Sequence, residues 1–135
     1  MNPPTERYDA PFRISEVLAA GVPWALVWPV LVGVISAFGQ PGVACVTPLA
    51  VFALAITAGG RYARRVLARP DQKPGIAPLA AVGAIVGVGL AVAWLIGGLR
   101  MDPTMPITDP FLIIGAAGMF LMSTLVTIVM GKITR

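Results

Sequence analysis

Apolar residues fill four long stretches of the chain, roughly Val17–Phe38, Val43–Gly60, Ile76–Leu99 and Phe111–Met130. Each comes close to the ~20 apolar residues that carry a helix across a bilayer. Polar residues collect between and around them. They form the opening MNPPTERYDA, the turn Gly39-Gln40-Pro41-Gly42, a basic stretch from Gly59 to Gly75, the loop from Gly97 to Pro110, and the last residues from Gly131. This alternation predicts an all-α integral membrane protein in one domain, residues 1–135. Its four transmembrane helices would form two antiparallel hairpins about a basic hinge, residues 61–75.

Local signals refine each span. Residues 1–10 read as a polar tail with no core to fold around. Pro11 suits a first helical turn, and Phe12, Arg13, Ile14 and Glu16 mix apolar and charged positions. They read either as an interfacial helix or as the wet end of the first span. Gly21, Pro23 and Pro29 should kink or break that span. The apolar run is too long for the core of a signal peptide and reads as a retained span. Pro48 should kink the second span in its outer half, and the helix should continue to Ala68 or Arg69, where Pro70 stops it. Asp109 is placed to cap the fourth helix, with Pro110 at its first position.

Small residues at four-residue spacing predict where backbones approach. Gly33 with Ala37, Ala55 with Gly59, and Gly83 with Gly87 make small-xxx-small pairs, and Gly115 and Gly118 narrow the fourth span. Trp24 and Trp28 share a face of the first helix, with Trp24 at the level of an aromatic belt. Ser123, Thr124 and Thr127 are expected to bond back to their own helix carbonyls.

Charge adds a direction. The chain has 10 Lys+Arg against 6 Asp+Glu. Arg7, Arg13, Arg61, Arg64, Arg65, Arg69, Lys73, Lys132 and Arg135 fall on one side of the predicted spans, and Arg100 alone on the other. The imbalance predicts that both termini are cytoplasmic, in a membrane of the bacterial inner (cytoplasmic) type. Arg61, Arg65 and Arg69 recur every four residues on one helical face, flanked by Arg64. They are the expected contacts for lipid headgroups or a partner subunit. Basic residues beside apolar spans point to membrane lipids rather than nucleic acid.

Candidate chemistry is sparse. The sequence has no histidine, which excludes histidine-ligated haem or pigment, and its single cysteine, Cys45, lies in an apolar stretch. Glu16 stands at the edge of a span and Asp102 and Asp109 in a loop, so no carboxylate occupies a span centre where burial would tune it for ion coupling. Ser36 and Ser123 lack a base partner. The expectation is therefore a protein that is not an enzyme and carries no cofactor or metal: an accessory or assembly subunit of a larger membrane complex. Respiratory and photosynthetic complexes are settings it would suit. The alternative is a small oligomeric transporter or channel, its path lined by Thr47, Thr57 and the Ser123–Thr127 cluster. Partners would be membrane lipids and other membrane subunits.

Overall fold

A computed structural model describes residues 8–9, 11–37, 47–69, 71–101, 104, 106 and 109–134. The described residues are helical apart from one short strand pair and the connecting turns. In order they form β1 (Tyr8–Asp9), α1 (Ile14–Ala37), α2 (Thr47–Leu67), β2 (Gln72–Lys73), α3 (Ile76–Met101) and α4 (Pro110–Ile133). Among the described residues three helical segments are long and apolar enough to cross a membrane, Ile14–Ile35, Ile76–Leu99 and Pro110–Ile133. In α2 the stretch Thr47–Gly60 rises only about 21 Å before Arg61, at about 1.5 Å per residue. The expected start of the second span, Val43–Val46, lies outside the described residues, as does the turn before it.

α1 runs unbroken through both of its prolines. The sequence allowed a break at Pro23 or Pro29, and none occurs. In apolar surroundings no water takes up freed backbone groups, so keeping the remaining helical bonds outweighs the one lost at each proline. Pro48 falls in the first turn of α2 as described, where a missing N–H has no partner to lose. α4 opens as the sequence predicts: the Phe111 amide donates to Asp109 Oδ1 at 2.9 Å, and Pro110 follows the cap. α2 ends at Leu67, just short of the expected Ala68 or Arg69. Ala68 still bonds back to Arg64 O, and Arg69 turns back to Val66 O at 3.0 Å.

α3 is the central helix. It packs on α1, α2 and α4, whereas α1 and α4 do not touch among the described residues. Its fully buried Leu79, Val82, Val86 and Leu90 form the middle of the core with Val66 and Tyr62 from α2 and Val17 and Ala20 from α1. The outer faces of α1 and α4 carry exposed Leu26, Val30, Leu31 and Val34, and Ile113, Ile114, Leu121 and Leu125. Such a continuous apolar surface suits lipid and not water.

The opening tail holds a surprise. Tyr8 and Asp9 pair in parallel with Gln72 and Lys73, so this part of the tail joins the basic hinge. Such a short pair has no hydrophobic period and leaves no trace in the sequence.

Candidate functional site

Two helix starts and two helix ends meet at the basic end of the bundle. The first turn of α1, the end of α2, the start of α3 and the end of α4 converge around β2. Arg69 ties two of them together. Its guanidinium forms an ion pair with Glu16 of α1 and donates from Nη1 to Gln72 Oε1 at 2.9 Å. Arg13 lies 3.7 Å from the same carboxylate. The Glu16 side chain is only 15% exposed, so its charge is held between two cations at the edge of the apolar core. On the other flank Lys132 Nζ donates to Pro74 O at 3.0 Å, tying α4 to the hinge.

The four arginines grouped by the sequence are treated differently by the fold. Arg69 lies past the end of α2 and turns to Glu16, so it does not share an outward face with Arg61 and Arg65. Periodicity cannot register this, because the helix that would carry it stops at Leu67. Arg61 is exposed and stands over the Trp24 ring of α1, 5.7 Å from its centre, a favourable cation–π placement. Arg64 and Arg65 are exposed, with no ion pair among the described residues. Between Arg61 and Arg64, Tyr62 is fully buried, and its hydroxyl has no partner among the described residues.

The small residues divide likewise. A Cβ on Gly83 would stand 2.6 Å from Thr124 Cα, and one on Gly87 would stand 2.9 Å from Phe120 Cα, so both face the α4 backbone. Gly59 approaches Thr127 O at 2.9 Å by the same measure, and Ala55 is fully buried. Gly115 lies against the Trp94 indole, which also packs on Phe111 at 5.3 Å between ring centres. Gly33 and Gly118 meet no described neighbour. The Ala37 side chain lies outside the described residues. Gly89, which the four-residue spacing to Ala93 also marks as small, meets the Ala25 backbone of α1; Gly98 against Leu112 and Gly131 against Leu79 are close approaches without such a signature.

Polar residues in the α3–α4 seam also diverge from expectation. Thr124 and Thr127 bond to Phe120 O and Ser123 O in their own helix. Ser123 instead donates across the seam to Gly83 O at 3.0 Å. The missing side chain at Gly83 is what brings that carbonyl within reach. Thr57 stands exposed and bonds Ala53 O, while Ser123 and Thr127 are buried, so these residues are not brought onto one open surface.

Several apolar grooves open outward among the described residues. One of about 390 Å³ lies between α1 and α3, beside Leu26, Pro29, Val88 and Val92. Another of about 290 Å³ lies on α2, α3 and α4, beside Phe52, Trp94, Gly118 and Met122. No group of three His, Cys, Asp or Glu suited to a metal occurs among the described residues. The chain matches no family model, no curated protein and no solved structure, so its function is read from these residues alone.

Proposed function

We propose that this chain is a non-catalytic accessory or assembly subunit of a larger membrane protein complex. The observation that carries this reading is the set of outward apolar grooves, two of them between helices. Gly118 opens the second of them, and nothing among the described residues fills the space a Cβ would take there. Small residues facing outward let a foreign helix approach closely, and dispersion between close backbones is what holds membrane helices together. Gly33 offers a second open position on α1. The setting is a bacterial inner membrane, with Val43–Gly60 as a fourth span and the helices arranged as two antiparallel hairpins. Nine basic residues against one support placing both termini in the cytoplasm.

Extraction in a mild detergent tests the reading. Co-migration with a larger assembly at fixed stoichiometry supports it, and Gly118→Leu should then release the chain while leaving it folded. A homodimer or homotetramer that passes ions in liposomes points instead to the small transporter or channel.

A further inference from the structure

The basic step on α2 lies deeper than a topology signal requires. Gly59 and Gly83 both approach Thr127, so the three share one level in the bundle. From Gly83 back to Ile76, the first residue of α3, is about 10 Å along the helix, and from Gly59 on to Arg61 is about 3 Å. Arg61 thus leaves α2 about 7 Å inside the apolar start of α3, with Arg64 and Arg65 following within about 3 Å of that start. A second ruler agrees. Arg61 stands over Trp24, and Trp24 lies about 12 Å along α1 from Glu16, where Arg69 is held. Exposed Leu18, Ile76 and Ile133 surround this end with apolar surface.

Three guanidinium groups at this depth need a counter-charge, because a cation in apolar surroundings is costly unless paired. Among the carboxylate side chains described, none forms an ion pair with these three arginines. Glu16 is engaged by Arg69 and Arg13, Asp71 is exposed in the turn before β2, and Asp109 caps α4 at the other end. We propose that Arg61, Arg64 and Arg65 seat the phosphate of an anionic phospholipid. A guanidinium matches phosphate with two parallel hydrogen bonds, and lipid phosphates lie just outside the hydrocarbon, within reach of long arginine side chains. The helix below gives the acyl chain a track. Thr57 and Ala53 lie two and three turns deeper on the Arg64 face, both exposed and small. The Thr57 hydroxyl is turned to Ala53 O, so this track is apolar. Trp24 under Arg61 holds the innermost guanidinium in place.

This site rests on the membrane placement proposed above but not on the subunit role, and it stands if the chain works alone. The test uses the full chain with Trp28→Phe and Trp94→Phe, leaving Trp24 as the only fluorophore of its kind. Flotation with vesicles comes first; a chain that does not float removes the membrane placement itself. In floated protein, bromine-labelled phosphatidylglycerol should quench Trp24 at lower mole fraction than bromine-labelled phosphatidylcholine, by about fivefold or more. Arg64→Gln with Arg65→Gln should bring the two lipids to parity, and both residues are exposed, so the fold should tolerate the change. Equal quenching by both lipids in the parent chain overturns the proposal. So does an equal response of Trp24 to inorganic phosphate in phosphatidylcholine vesicles, which would assign the site to the free anion. Should the two tryptophan changes harm folding, native mass spectrometry of the unaltered chain with mixed lipids gives the same comparison. Retention of phosphatidylglycerol over phosphatidylcholine is expected, and equal retention overturns the site.

Discussion

α1 and α3 each carry a long apolar span, yet the two live in different surroundings. Within the span windows 44% of α3 residues are buried inside the bundle against 17% of α1. Hydropathy does not separate them, because lipid is as apolar as a protein core. Side-chain size does. α3 presents Gly83 and Gly87 to α4 and Gly89 to α1, and each lets a neighbouring backbone come close. α1 presents Leu26, Val30, Leu31 and Val34 outward. In a membrane, then, the core-facing helix is the one that gives up side-chain volume.

The comparison assumes that both helices cross in the same sense, and an all-or-none test can break it. In a Cys45→Ala background, cysteines at positions 5 and 72 should react only with a reagent on the cytoplasmic side. One at position 105 should react only from outside. The reverse pattern would overturn the orientation and every side assignment with it.

Next in size is the difference between crowded and open glycines. Gly83→Leu drives a side chain into the α4 backbone at Thr124 and should cost about 3 kcal/mol or more. Gly33→Leu adds volume where no described neighbour stands, and should change stability of the isolated chain by less than about 0.5 kcal/mol. Unfolding in detergent measures both, and equal losses would remove side-chain volume as the explanation.

The ends of the two helices provide a smaller test. Glu16→Gln leaves Arg69 without its carboxylate, and for a pair that keeps the arginine one-third exposed the cost is about 1 kcal/mol. High salt should narrow the gap between variant and parent. A gap indifferent to salt would mean that Glu16 acts through packing alone. Smaller still is Ser123→Ala, which removes the bond to Gly83 O and should cost about 0.6 kcal/mol. Thr124→Ala loses only a bond within its own helix and should cost less; the opposite order would deny the seam bond any role.

The sequence made the helices legible because their signals are local. Asp109-Pro110 marks the start of α4, and the switch from basic hinge to Ile76 marks that of α3. The Gly83–Gly87 pair was legible as a close-packing face, but not its neighbour, since spacing names no partner. Gly98 against Leu112 and Gly131 against Leu79 left no pattern because each is a single small residue opposite one large side chain. The basic face was legible as charge. Its division into a tethered Arg69 and a free-standing Arg64 and Arg65 was not, because that depends on where α2 stops and on Glu16, far away in sequence.

The link between Glu16 and Arg69 has a consequence for the order of events during synthesis. α1 finds most of its packing on α3, which emerges from the ribosome after α2. Until then α1 lacks its principal neighbour and would be free to drift in the bilayer. Both ends of the Glu16–Arg69 pair exist before any residue of α3 has been made. The pair can hold α1 beside α2 through that interval, close to the place α3 will occupy. The Lys132 bond to Pro74 can form only when the chain is nearly finished, and it closes the same end from the other flank. One terminus of the bundle is thus fastened early and late by different residues, with the central helix inserted between the two events.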